Sequence, residues 1–355
     1  MAIQARTAGE MYEALHERLH DVVPDFELAH KAEVAFAINR LKAERGAVIL
    51  GHNYMEPALY HSVCDHTGDS LELSRIAAKA DADPIVFCGV RFMAETARIL
   101  NPERTVLLPS AKGGCSLAAS ITAADVRRLK ARYPGVPVVT YVNTYADVKA
   151  ESDICVTSGN AVKVVEALDA DTVIFLPDEY LARNVARETG RRIILPVVNG
   201  PEPEREATAA ADGVELAVVA WRGKCEVHDQ FTVGDIAAVR AQFPDVFVLA
   251  HPECPPDVVE AADFSGSTSA MIREVRQSDR PRYLLLTECS MADNIVAETP
   301  GKEMVRLCSV RCPHMNEITL DEVLASLREN RYVVDVDPET ARRAKRAIDR
   351  MLEVG

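Results

Sequence analysis

Three apolar runs in this 355-residue chain end in polar residues suited to proton transfer and anion binding. They are His52, Asn53 and Tyr54 in GHNY, Tyr141 and Asn143 in TYVN, and His251 and Glu253 in AHPE. A glutamate two residues from a histidine offers a general base and acid, and tyrosine hydroxyls can donate to a developing oxyanion. Each run is followed by a hydroxyl that opens a helix. Ser70 lies 18 residues after His52, Ser158 lies 17 after Tyr141, and Thr268, next to Ser267, lies 17 after His251. Serine and threonine are good helix N-caps, and helix starts attract anions through unpaired N–H groups. Taken singly, each residue has a plain structural reading: His251 ends a strand, Glu253 is solvated, Ser158 is a cap. Three near-equal offsets in one chain favour a shared site.

Those offsets belong to a threefold repeat. Each unit begins with a charged helix that stops at Gly or Pro and enters an apolar strand: INRLKAERG then AVILGHNY, VRRLKARYPG then VPVVTYVN, IAAVRAQFP then DVFVLAHPE. A helical period giving way to a β-branched run marks an αβ step. After the hydroxyl-capped helix come a second strand (PIVFCG, DTVIFLP, RYLLLTE), another helix (FMAETARIL, YLARNVARE, SMADNIVAE) and a third apolar run (TVLLP, RIILPVV, MVRL). The expected fold class is α/β, with three pseudo-equivalent three-layer α/β/α lobes whose small parallel sheets surround a central site. The expected lobes are 29–115, 116–225 and 226–313, with helices from 1–28 and 314–355 packing near the first. His52 to Tyr141 is 89 residues and Tyr141 to His251 is 110, so the second lobe is expected to carry a surface insertion near 201–219. Ligands of parallel α/β sheets sit at the carboxyl ends of the strands, where the polar signatures fall. Arg91 and Glu95 read as a helical salt bridge of small value.

Composition alone does not say which of the nine cysteines are more than buried thiols. Free cysteine packs well in cores, and Cys88 and Cys155 sit inside apolar runs. Cys64, Cys254 and Cys289 remain open. Cys115 in KGGCSLA, Cys225 in RGKCEVH and Cys312 in VRCPHM sit in Gly- or Pro-flanked loops, one per repeat. Three thiolates on one axis suit a [4Fe–4S] cluster with one iron left open as a Lewis acid. His228, three residues from Cys225, is expected to hydrogen-bond a sulfur or a neighbouring loop. Cys308 forms a C-x3-C pair with Cys312, by itself a weak metal signal.

The ordered set GHNY, GDSLE, GVRFMAETARIL, GCSLA, YVNT, VTSGNAV, GKCEVHDQF, HPEC, GSTS and CPHM resembles the quinolinate synthase family from about residue 40 to 325. The resemblance implies three pseudo-equivalent α/β domains around a central site and a [4Fe–4S] cluster held by Cys115, Cys225 and Cys312. It implies condensation of iminosuccinate with dihydroxyacetone phosphate to quinolinate, a precursor of NAD, with loss of phosphate and water. A functional link to L-aspartate oxidase goes with that role. Substrate contacts would fall on His52, Ser70, Tyr141, Val142, Asn143, Ser158, His251, Pro252, Glu253 and Thr268, with Tyr54 at the edge of the site. On this reading Glu253 is the expected general acid or base, with His251, Tyr54 and Tyr141 as further catalytic groups. Some members carry more cysteines before the CP dipeptide than the Cys308 and Cys312 found here.

Other classes fare worse. A formal net charge of -14 argues against nucleic-acid binding. No apolar stretch is long enough for a membrane span, and the N-terminal residues lack a signal peptide's apolar core, so a cytoplasmic enzyme is expected. A different cluster-dependent hydro-lyase acting on a hydroxy acid is the alternative enzyme. An iron–sulfur redox sensor would want four protein ligands and no convergent polar site.

Overall fold

A computed structural model describes residues 2–196, 216–307 and 310–354. Its strands form three separate parallel sheets, as the threefold repeat predicts. The first contains β1 (Val48–His52), β2 (His66–Gly68), β3 (Ile85–Cys88) and β4 (Val106–Leu107), in the order β2-β1-β3-β4. The second contains β5 (Val138–Tyr141), β6 (Ile154–Val156), β7 (Thr172–Leu176), β8 (Arg192–Ile194) and β9 (Ala217–Ala220), in the order β6-β5-β7-β9-β8. The third contains β10 (Phe247–Ala250), β11 (Phe264–Ser265), β12 (Arg282–Leu286) and β13 (Glu303–Val305), in the order β11-β10-β12-β13. Central strands such as β3 and β5 are buried at every residue. That is why they read as unbroken apolar runs rather than alternating ones: helices cover both faces.

The second sheet departs from the sequence reading. RIILPVV was expected to occupy the place of the third strand, but β9 pairs with β7 there and pushes β8 to the edge. The extra length of this lobe therefore contributes a strand. Residues 201–215 of the expected insertion lie outside the described residues, as does Cys308.

Two local devices recur and explain why three dissimilar sequences fold alike. Helices Ala123–Arg132 and Val233–Gln242 each start from a capping box, Thr122 with Asp125 and Thr232 with Asp235. The cap satisfies N–H groups that otherwise lack partners and sets the angle of entry. Each edge strand is bolted to the first strand by an aspartate just before it. Asp65, Asp153 and Asp263 each accept from a strand N–H at 2.8 Å, those of Ile49, Val138 and Val248. The carbonyls of the same three residues accept the aspartates' own N–H groups at 2.9 Å. Sequence reading missed these aspartates because one residue type fifteen or sixteen positions from its partner leaves no periodic trace.

Helices outside the repeat brace the lobes. Helix Ala8–Leu19 packs on Asp25–Arg45, which also receives Leu320–Glu329. Helix Pro338–Val354 packs mainly on Ala146–Ala150 and β6 of the second lobe, and on Arg91–Leu100 of the first. The C-terminal helices, expected near the first lobe, thus divide between two lobes. Arg91 does pair with Glu95, at 2.8 Å, but Glu95 is only 3% exposed. Its second oxygen accepts from the backbone N–H of Ala146 in the second lobe at 2.9 Å, so the pair is part of an inter-lobe junction.

Candidate functional site

In all three sheets the chain runs outward from the first strand and then crosses back, leaving a switch point beside that strand's carboxyl end. The three switch points open into one cleft of about 700 Å³, counting its open mouth. His52 and Tyr54 arrive from β1, Tyr141 and Asn143 from β5, His251 and Glu253 from β10.

Glu253 is the hub. It is 3% exposed, and its Oε2 lies 2.7 Å from His228 Nδ1, approached off the line of a full hydrogen bond, and 3.5 Å from His251 Nδ1. Asn143 Nδ2 donates to Oε1 at 3.2 Å. Burial by itself would push this carboxyl up, but the charge and hydrogen bonding of His228, with His251 and Tyr141, outweigh it and hold the group below the usual range. The far side of His228 continues outward: Nε2 lies 3.0 Å from Thr287 Oγ1, which lies 2.5 Å from the Tyr54 hydroxyl. Burial, then the charge of Glu253, pushes both Tyr54 and Tyr141 well up, so both phenols keep their protons. A carboxylate and a phenol are thereby joined through an imidazole and a hydroxyl. Such a run can take a proton at one end and supply one at the other.

His52 and His251 are neutral donors. The Tyr54 N–H donates to His52 Nδ1 at 3.2 Å, and the Glu253 N–H donates to His251 Nδ1 at 3.3 Å. Each imidazole therefore carries its proton on Nε2. Burial lowers His52 to about 4 and His251 to about 3, so both are uncharged near neutrality. The rings of His251 and His228 stack with centroids 4.5 Å apart. Ser158 Oγ meets His251 Nε2 at 3.3 Å. Thr268 accepts from Asn53 Nδ2 at 2.9 Å. The helix caps differ from expectation: Asp69, not Ser70, caps Ser70–Ala77 in a capping box with Glu72. Asn160, not Ser158, precedes Ala161–Ala167, and Ser267 caps Thr268–Gln277. Freed from capping, the hydroxyls of Ser70 and Ser158 are available to the cleft they line.

Cys115, Cys225 and Cys312 line the same cleft, each half-buried. Each stands at the start of a helical turn and uses it in the same way. The thiols accept from the backbone N–H groups two and three residues on: Leu117 and Ala118, Val227 and His228, His314 and Met315. The cysteine carbonyls accept from the N–H four residues on, at 3.0, 3.0 and 3.1 Å. Burial raises all three thiols, Cys115 to about 12 and Cys312 to about 11. Paired N–H donors are what thiolates bound to an iron–sulfur centre require. The donor set therefore fits a cluster with three protein ligands. Cys225, His228 and Glu253 also lie within 4.8 Å of one another. His228 Nε2 already meets Thr287 and Nδ1 faces Glu253, however, and Cys225 shares its local setting with the other two loop cysteines. Cys64, Cys88, Cys155 and Cys254 are fully buried, and Cys289 lines a separate hollow.

Of the residues singled out in sequence, His52, Tyr54, Ser70, Tyr141, Asn143, Ser158, His251, Glu253 and Thr268 face the cleft with the three cysteines. Val142 and Pro252 do not; alternation along the chain turns them away, and Val142 is 1% exposed in the core. The sequence reading gave His228 a place near the cysteines, not its contact with Glu253. It overlooked Thr287, though applying the strand-end rule to RYLLLTE would have found it. It also overlooked Asp178, a fully buried carboxyl pushed well up by burial and by Glu253, whose Oδ1 accepts from Leu181 N–H at 2.9 Å.

Comparison with known proteins bears on this site. Residues 36–353 match the family model described as quinolinate synthetase A protein. A quinolinate synthase of Sinorhizobium fredii is 52% identical over 96% of this chain and 88% of its own length. Quinolinate synthase 2 of Mesorhizobium japonicum is 51% identical over 96% of this chain and 97% of its own. A quinolinate synthase of Caulobacter vibrioides is 48% identical over 99% of this chain and 89% of its own.

Proposed function

We propose, given that this chain belongs to the quinolinate synthetase A family of enzymes, that it condenses iminosuccinate with dihydroxyacetone phosphate to form quinolinate. The observation that carries this reading is the run of close polar contacts from Glu253 through His228 and Thr287 to Tyr54, in the same cleft as three equivalent loop cysteines. The reaction joins a carbon–carbon bond, expels phosphate and water, and closes a ring. It needs a base, a proton donor and seats for several anionic groups.

A [4Fe–4S] cluster held by Cys115, Cys225 and Cys312 would supply Lewis-acid polarisation of a substrate oxygen. The chain's own groups do the rest. Glu253, held ionised, removes a proton from carbon, and His228 stabilises the carboxylate before transfer and shares the proton after it. Tyr54 protonates a departing oxygen and is recharged through Thr287 and His228. Tyr141 donates to Glu253 or to an oxyanion beside it. No lysine or arginine lines the cleft among the described residues. Carboxylate and phosphate oxygens are therefore met by neutral donors: Nε2–H of His52 and His251, the hydroxyls of Ser70, Ser158 and Thr268, Asn143, and helix N–H groups. Neutral donors hold anions without a fixed positive charge that would lower the basicity of Glu253 further.

L-aspartate oxidase, or any oxidase acting on aspartate, would supply the imine. No helix among the described residues is long and apolar enough to cross a membrane, and we place the reaction in the cytoplasm. The test is direct. The protein is purified without oxygen, reconstituted with iron and sulfide, and given both substrates. Stoichiometric quinolinate and phosphate are expected. Turnover of a hydroxy acid with no quinolinate would instead assign it as a hydro-lyase.

A further inference from the structure

Each lobe reaches across to the polar strand end of the next. From the first lobe, Glu95 takes the N–H of Ala146, three residues past Asn143. From the second, Asn184 in helix Glu179–Glu188 donates through Nδ2 to the carbonyls of Pro252 at 2.9 Å and Cys254 at 3.2 Å. From the third, Asn294 in helix Cys289–Glu298 donates through Nδ2 to the carbonyls of Asn53 at 3.2 Å and Met55 at 2.9 Å. The ring of three lobes is closed by these contacts. The two asparagines do the same thing at two places. Asn184 holds the carbonyls immediately before and after Glu253, and Asn294 holds those immediately before and after Tyr54.

We propose that Asn184 and Asn294 are positioning residues for the reaction, each fixing from the neighbouring lobe the backbone that aims one acid–base side chain. This rests on the roles given above to Glu253 and Tyr54. Each asparagine holds the peptide that enters the acid–base residue and the peptide that leaves the residue after it, which confines the backbone between them and with it the Cα–Cβ direction. Neither asparagine touches the cleft. Both are buried, at 1% and 2% exposure, and both Oδ1 atoms are buried without a partner. An unpaired buried oxygen is costly, and an apolar side chain of similar volume would avoid it. The amide is therefore kept for its two donors. Misplacing a reacting group by an ångström costs on the order of 100-fold in rate, so slack in this contact reaches the chemistry.

Asn101 provides the control. It bridges two carbonyls in the same way, Ala77 and Ala97, both at 2.9 Å, within one lobe and away from the cleft. In the reconstituted protein, Asn184→Ala and Asn294→Ala should each lower kcat by roughly 10–100-fold with KM nearly unchanged. Asn101→Ala should lower Tm and leave kcat alone. Pairing separates positioning from general damage. Asn184→Ala added to Glu253→Gln should cost little more than Glu253→Gln alone, while added to Tyr54→Phe the losses should multiply. Asn294→Ala should show the mirror pattern. If alanine variants do not accumulate folded, Asn184→Asp and Asn294→Asp keep the shape and remove the paired donors, and the same comparisons apply. Losses of kcat that follow Tm across all three asparagines, or that multiply with every partner alike, overturn the inference. Unimpaired Glu253→Gln and Tyr54→Phe proteins would instead overturn the roles it rests on. Impaired Glu253→Gln and Tyr54→Phe beside unimpaired asparagine variants overturn this inference alone.

Discussion

The ends of β1 and β10 are the same backbone arrangement carrying opposite chemistry. Each places a histidine at the carboxyl end of the strand, and each histidine accepts through Nδ1 from the N–H two residues on, at 3.2 and 3.3 Å. Both third residues are flanked by carbonyls held by an asparagine of another lobe. In the first lobe that third residue is Tyr54, pushed up and kept protonated; in the third lobe it is Glu253, held down and kept ionised. The second lobe puts Asn143 at the matching position, where it donates to Glu253. A repeated fold thus supplies one backbone geometry at two strand ends, and on the roles proposed above the side chain at one position, with its partner, decides whether that end gives or takes a proton.

The largest expected effect removes a ligand of the proposed cluster, in the cleft that both ends line. Cys225→Ser should abolish the visible absorbance of the reconstituted protein and quinolinate formation with it, whereas Cys88→Ser, in the middle of a buried sheet, should retain both. Full iron and sulfide content in the Cys225 variant would sink the ligand assignment. Next, Glu253→Gln should lower kcat by about 10²–10⁴-fold, the usual range for a positioned acid–base group, and Tyr54→Phe should fall in the lower part of that range. Equal losses would remove the distinction between base and donor.

Smaller is the pH dependence that the two ends share. His52 and His251 are held neutral, so the unfolded chain binds protons that the folded one refuses. A lowered histidine pKa contributes stability that is present above about 6.5 and lost as pH falls toward the folded value. For His52, lowered to about 4, the loss approaches about 3 kcal/mol at the acid end. The depressed Glu253 acts in the same direction, but only below the ordinary carboxylate range. Melting temperature should therefore fall from about pH 7 to pH 4.5, and more shallowly in His52→Gln. Superimposable curves would show that His52 is not the group refusing a proton. Smallest, Asp263→Asn weakens a bolt under β10 that faces away from chemistry. It should cost about 1–2 kcal/mol of stability and leave kcat unchanged.

Much of this was legible along the chain. The three sheets follow from apolar runs between capped helices, and the strand-end residues follow from where ligands of parallel sheets bind. The loop cysteines were found because one falls in each repeat. β9 was not legible: AVVA is four small apolar residues behind a polar stretch, and its place beside β7 depends on pairing. Which residue opens each helix was not legible either: Asp69 and Asn160, not Ser70 and Ser158, stand at the N-cap positions, and all four are good capping types.

What the sequence determined by itself is local: helix starts, strand runs, and which side chains stand at strand ends. These depend on residue type and on periods of two and 3.6, which a few neighbouring residues are enough to express. Only the tertiary structure decided that Glu253 meets His228, that Tyr54 meets Thr287 across 233 positions of sequence, and that Asn184 and Asn294 reach the neighbouring lobes. Hydrogen bonds of a few ångströms depend on how the lobes dock, and docking is a property of whole packed surfaces that no short stretch of sequence carries.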